Sequence, residues 1–197
     1  MKFKNKVGGA ILGALLCATI SGISATATYL RYDINFTHYP QEKTNWCWAA
    51  CATAAGKHVT PSSPYNQYDA VYSVHNNYAN SGGTVAETAS AANFVSQSNA
   101  TYTGCDYAIG SEVLVQKILQ DRVTIIGYAR YTPNNVYDSA HMVTATKYEV
   151  ETSVNHRVIT VYDPYLDSEV VYNYTQLYQG SYPENGLYLK MTEHCKY

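Results

Sequence analysis

The amino-acid sequence predicts an α+β domain, and three observations carry that expectation. Up to about residue 120 the chain holds helix-favouring stretches separated by turn residues. After about residue 122 it changes to short runs of β-branched and aromatic residues with turn residues between them. Between the opening loop and these elements, an alanine-rich segment places a cysteine at the start of a helix. Helices gathered in the first half and antiparallel strands in the second form a cleft where the halves meet.

Taken in order, residues 28–44 read as extended and loop-like, with Pro40 just ahead of Gln41. Asn45 is a good N-cap, so a helix is expected from Trp46 to Ala55, stopped by Gly56. Helical stretches over 64–79 and 84–97 are separated by the Ser81-Gly82-Gly83 turn. Val113, Leu114, Ile118 and Leu119 recur at helical spacing and place a fourth helix over 112–120. Strands are expected at 123–128, 142–150, 157–162, 169–174 and 187–191.

The first 27 residues are read differently. Lys2, Lys4 and Lys6 precede an apolar stretch from Val7 to Ile23, and Ala25-Thr26-Ala27 offers a small-residue cleavage site. This is the pattern of a secretory signal peptide, with an uncleaved membrane anchor as the competing reading. Residues 28–197 then form one domain, secreted and without stable membrane insertion. Removing 1–27 from the 197 residues leaves 170, and three lysines go with it, moving the formal charge from -2 to about -5. No basic patch remains to suggest nucleic acid. All 21 tyrosines lie after the cut, an apolar body with a polar tip suited to a cleft or an exported surface.

The chemistry starts at Gln41-Glu42-Lys43-Thr44-Asn45-Trp46-Cys47. A thiol at a helix N-terminus faces the positive end of the macrodipole and unpaired backbone N–H groups, which favours its thiolate. Gln41, six residues upstream, can add a side-chain donor to an oxyanion whose first donor is the cysteine's own N–H. A cysteine nucleophile needs a base, and the base needs an orienting acceptor. Of six histidines, His141 opens the apolar run Met142-Val143-Thr144-Ala145 directly after a polar loop. One hairpin later Val158-Ile159-Thr160-Val161-Tyr162 runs into Asp163-Pro164, and an antiparallel return brings Asp163 beside His141.

Gln-x5-Cys-Trp followed by this histidine and the Asp-Pro step resembles the papain-like cysteine peptidases. The likeness is greatest to the compact bacterial branch of C39-like and AvrRpt2-type peptidases, whose motif resembles Asn-Trp-Cys-Trp-Ala-Ala. The resemblance runs over about residues 38–190 and is specific in 41–51, 140–143 and 161–164. It implies a papain-like fold in which the nucleophile helix packs on the C-terminal antiparallel sheet. It also implies Cys47 as nucleophile, His141 as base then acid, Asp163 as the imidazole's orienter and Gln41 as oxyanion donor. Asp163 stands where papain has asparagine, in keeping with the bacterial branch. Ala140 stands where relatives often have glycine. The expected substrate is a peptide or protein, cleaved by a monomer that uses no cofactor.

Other readings of the same residues are open. The triad could carry transglutaminase or amidase chemistry on cell-wall peptides, or the scaffold could be a non-catalytic exported binding module. If Cys47 is free, one bridge at most can form among Cys51, Cys105 and Cys195, and Cys105 with Cys195 is preferred because Cys51 sits on the alanine-rich helix. Cys47 and Cys51, one helical turn apart, could instead join His194 and Cys195 in a metal site, although a second close cysteine pair is lacking. The sequons at Asn35, Asn99 and Asn173 matter only where exported proteins are glycosylated.

Overall fold

A computed structural model describes residues 28–152, 154 and 156–196, so the expected signal peptide at 1–27 lies outside the described residues. The chain runs β1 (Tyr29–Asp33), α1 (Cys47–Val59), α2 (Gln67–His75), α3 (Val85–Val95), β2 (Thr103–Cys105), α4 (Ser111–Leu119), β3 (Thr124–Tyr131), β4 (Tyr137–Glu151), β5 (His156–Asp163), β6 (Ser168–Asn173), α5 (Tyr174–Gln179), β7 (Tyr182–Glu184) and β8 (Leu187–Lys196). These five helices and an eight-stranded antiparallel sheet make an α+β fold. Among the described residues no helix is long and apolar enough to cross a membrane.

The sheet runs β2-β8-β3-β4-β5-β6, with β1 added to β4 and β7 to β8. Strand β4 is its spine. Residues 137–145 pair with β3, while 147–151 pair with β1 and 144–151 pair with β5. Two of the strands come from the first half of the chain and the short helix α5 lies among the strands of the second, so the expected split between helical and β halves holds for α1–α4 and β3–β8 but not for β1, β2 and α5. Strand β1 has no clean polar and apolar alternation, and its partner lies more than a hundred residues away, which is why 28–44 read as loop.

All four expected helices form, with shifted ends. The segments expected over 64–79 and 84–97 shorten to α2 and α3, each started by a capping box, Asn66 with Asp69 and Thr84 with Glu87. Gly56 does not stop α1. The helix continues to Val59, and Gly56 is where α1 touches α3: a Cβ there would lie 2.6 Å from Cβ of Val95. A buried helix contact has overridden the local stop signal. Nor does His141 open its strand, since β4 begins at Tyr137 and His141 is paired with Tyr128 of β3.

Helix α1 packs on β3 and β4 and against α2 and α3, burying Trp48 through Gly56 without a break. Its small residues let the neighbouring elements approach closely. The core continues through Ile125, Ile126, Tyr128, Val143, Ile159 and Val161 of the central strands. Cys47 therefore stands at the N-terminal end of a buried helix that packs on the central strands β3 and β4.

Candidate active site

Cys47 is the first residue of α1, and its N-cap is Trp46, with no side-chain cap. Asn45, expected as the cap, is diverted: its amide donates to the carbonyl of Asn80 at 2.9 Å. The first intrahelical bond runs from the Ala50 N–H to the Trp46 carbonyl at 2.9 Å. The N–H groups of Cys47, Trp48 and Ala49 thus begin the helix without intrahelical acceptors, the condition for holding an anion.

The residues around Cys47 are fastened to the 78–81 loop by a row of donors. Lys43 Nζ donates to the Tyr78 carbonyl at 2.7 Å, Trp46 Nε1 to Ala79 at 2.9 Å and Trp48 Nε1 to Ser81 at 3.1 Å. Asn80 returns two bonds, accepting the Asn45 N–H at 3.0 Å and donating to Thr44 Oγ1 at 2.8 Å. Gly83 lies flat on the Trp48 indole, where a Cβ would be 2.4 Å from Cδ2. Both tryptophans are wholly buried, so these five bonds place the Gly82-Gly83 backbone beside the sulfur.

His141 and Asp163 meet because the β4–β5 hairpin is staggered. Pairing with β5 starts at Thr144 opposite Tyr162, leaving the preceding part of β4 free on that side. His141 Nε2 lies 2.8 Å from Asp163 Oδ1, and the same oxygen accepts the N–H groups of Tyr165 at 2.8 Å and Leu166 at 3.3 Å. The Asp163-Pro164 turn is thus both a turn and a rigid carboxylate mount. An ionised Asp163 can only accept, so Nε2 carries the proton and Nδ1 is the nitrogen left for the Cys47 sulfur, which lines the same cavity. Tyr128 packs edge-on to the imidazole, ring centres 5.6 Å apart.

Burial pulls the His141 pKa down, but the Asp163 carboxylate and the Cys47 sulfur outweigh it and raise it to about 9. For Asp163 burial acts upward, and His141 with the Tyr165 and Leu166 N–H groups brings the pKa below the usual carboxylate value. The imidazolium is therefore the favoured form at neutral pH.

The structure places Gln41 differently from expectation. Its Nε2 donates to the carbonyls of Lys43 at 2.9 Å and Thr44 at 2.8 Å, so both amide hydrogens are used inside the 41–44 turn. Its Oε1 is buried without a hydrogen-bond partner among the described residues. In this arrangement Gln41 braces the turn instead of offering a donor to an oxyanion. Its backbone N–H donates to the Pro164 carbonyl at 2.8 Å, tying the loop before the nucleophile to the turn that carries Asp163. Gln67 clamps the same loop, donating to the Pro40 carbonyl at 2.7 Å and accepting the Glu42 N–H at 3.0 Å.

All four cysteines in the described residues are free. The preferred Cys105–Cys195 bridge is excluded by register: Cys195 is opposite Gly104 and Cys105 opposite His194, so the two side chains project from opposite faces. Cys195 instead donates to the Val85 carbonyl at 3.2 Å. Burial pushes the thiols of Cys51 and Cys195 upward. The metal grouping of Cys47, Cys51, His194 and Cys195 does not assemble either: among the described residues no three His, Cys, Asp or Glu side chains are grouped to hold an ion.

Two cavities share Ala140 and His141 as a common wall. One, about 330 Å³, is lined by Cys47, Gly82, Gly83, Tyr137, Met142 and Glu193 among others. The other, about 480 Å³, lacks Cys47 and is lined by Thr44, Asp163, Tyr165 and the Arg130–Glu184 ion pair. Sequence reasoning singled out none of Gln67, Asn80, Gly83, Tyr137 or Glu193 as site residues. Only the Gly82-Gly83 pair left a signal, and it read as a bare turn.

A scan against protein-family models finds no match to the chain, and a search of curated proteins finds no match.

Proposed function

We propose that this chain is a cysteine peptidase of papain-like architecture, exported by its N-terminal segment and acting as a monomer on peptides or proteins. One observation carries the reading: a single imidazole holds a carboxylate 2.8 Å from its Nε2 and lines the same open cavity as the sulfur at a helix N-terminus. A residue supported only as structural core needs neither a cavity nor a sulfur partner.

In this reading the Cys47 sulfur attacks the scissile carbonyl carbon and forms the C–S bond. The oxyanion that develops is held by the Cys47 N–H at the positive end of α1. His141 then gives its proton to the leaving amine as the C–N bond breaks. It next takes a proton from water, whose oxygen attacks the thioester and returns the sulfur to its starting state. Asp163, bonded to Nε2, holds the ring so that Nδ1 faces the sulfur throughout.

The test is labelling with an iodoacetamide probe near pH 6, where ordinary thiols are mostly protonated, together with hydrolysis of a peptide library. We expect wild-type protein to be labelled at Cys47 and to cleave. Cys47→Ala and His141→Ala should lose at least about 10³-fold in turnover with an unchanged circular-dichroism spectrum. Full hydrolysis by purified Cys47→Ala would overturn the proposal, and acyl transfer to added amines without hydrolysis would move it to transglutaminase chemistry.

A further inference from the structure

Among the described residues Glu193 is the only carboxylate lining the cavity that Cys47 enters, and a bulge in β8 puts it there. In the pairing of β3 with β8, Gly127 is opposite Glu193 and Tyr128 is opposite Met191, so Thr192 is an extra residue in a bulge. Bulges re-aim side chains and recur beside functional sites. Gly127 leaves room for it, since a Cβ there would lie 2.3 Å from Glu193 Cγ and would push the carboxylate from its present place. On its other side Gly127 is opposite Met142, which lines the same cavity. Met142 and Glu193 therefore flank a position with no side chain, and the Glu193 side chain lies across that space.

Among the described residues Glu193 makes no ion pair and no side-chain hydrogen bond. It is half-buried, and burial followed by the nearby Asp106 raises its carboxyl above the usual range. A half-buried carboxylate without a counter-charge is costly, and an arriving cation removes the cost. The neighbouring cavity is different, because there Arg130 already neutralises Glu184 at 2.9 Å. Tyr137, on the wall of the Cys47 cavity, adds an aromatic surface suited to a cation. The volume of about 330 Å³ suits one long side chain.

The two cavities also divide the substrate. In the peptidase reading the acyl carbon bonds to the sulfur, which lines one cavity and not the other, and this assigns the acyl side to the Cys47 cavity. The leaving amine takes its proton from His141 and falls toward the cavity that contains His141 but not Cys47.

We propose that the Cys47 cavity is the acyl-side specificity pocket, and that Glu193 selects a lysine or arginine side chain of the substrate. The proposal rests on the peptidase reading and specifies its substrate class. It is tested with fluorogenic peptides that differ only in carrying lysine, arginine, norleucine or glutamate at each acyl-side position in turn. Wild-type protein should favour lysine or arginine over norleucine by about 10- to 100-fold in kcat/KM at one position. Glu193→Gln should collapse that ratio, and Glu193→Lys should turn the preference toward glutamate. In a Cys47→Ala background, the same lysine peptide should bind at least about tenfold more weakly when Glu193→Gln is added, read by fluorescence anisotropy. Cleavage or binding whose lysine-to-norleucine ratio ignores residue 193 overturns the pocket and leaves the peptidase reading standing. Failure of the folded wild-type protein to cleave any peptide overturns both.

Discussion

Asp163→Asn is the most informative perturbation of the triad. It removes one negative charge while keeping shape and an oxygen acceptor for the Nε2–H of His141. The pair is buried, with the side chains of His141 and Asp163 only 11% and 5% exposed, so salt and water screen it little. Raising His141 from an imidazole's ordinary 6.5 to about 9 corresponds to roughly 3 kcal/mol in favour of the charged ring. Burial, the largest single influence, acts the other way. Without the carboxylate only Cys47 is left to oppose burial, so the ring should titrate well below 9, followed by NMR of the imidazole carbon protons.

The same substitution sets the sign of a stability difference. The folded His141 pKa lies above the unfolded one, so its contribution is complete below about pH 6.5 and is lost as pH rises through about 9. The folded Asp163 pKa lies below 3.8, so its contribution is present above that value and is lost as pH falls through the folded pKa. Wild type should exceed Asp163→Asn most between about pH 4 and 6.5 in urea denaturation, with the gap narrowing on either side. A ring that still titrates near 9 in the variant, or a gap that widens above pH 8, refutes the pairing.

Two further substitutions test how the site is held. Gly56→Ala gains helix propensity of about 1 kcal/mol but drives a methyl to 2.6 Å from Val95 Cβ. Overpacking should win by about 1–2 kcal/mol in urea melts, and adding Val95→Ala should cost less than the sum of the two single changes. Gln41→Ala removes two hydrogen bonds of the 41–44 turn and should lower stability by about 1–2 kcal/mol together with activity. An unchanged urea midpoint with turnover reduced about 10²-fold would instead return Gln41 to the role of oxyanion donor.

Gln41 also shows why its role was not legible along the chain. Six residues before a helix-borne cysteine is the right interval for a donor, but side-chain amides go wherever unpaired carbonyls are nearest, and the turn supplied two. Asn45 failed as a cap for a similar reason, since Asn80 competed for it. Cys105 and Cys195 looked like a pair because spacing says nothing about which face of a strand each cysteine occupies, and one step of register separates them. Glu193 was invisible, because its position depends on a bulge in the terminal strand and on a glycine in another strand.

The sequence by itself determined the α+β class, the helix that carries Cys47, and the hairpin that returns Asp163 to His141. Each of these follows from local periodicity, capping and short-range pairing. Tertiary structure alone decided that α1 runs past Gly56, that β1 and β2 complete the sheet, and which side chains line the groove. Those outcomes turn on contacts between segments tens of residues apart, where burial and hydrogen-bond competition outweigh local preference.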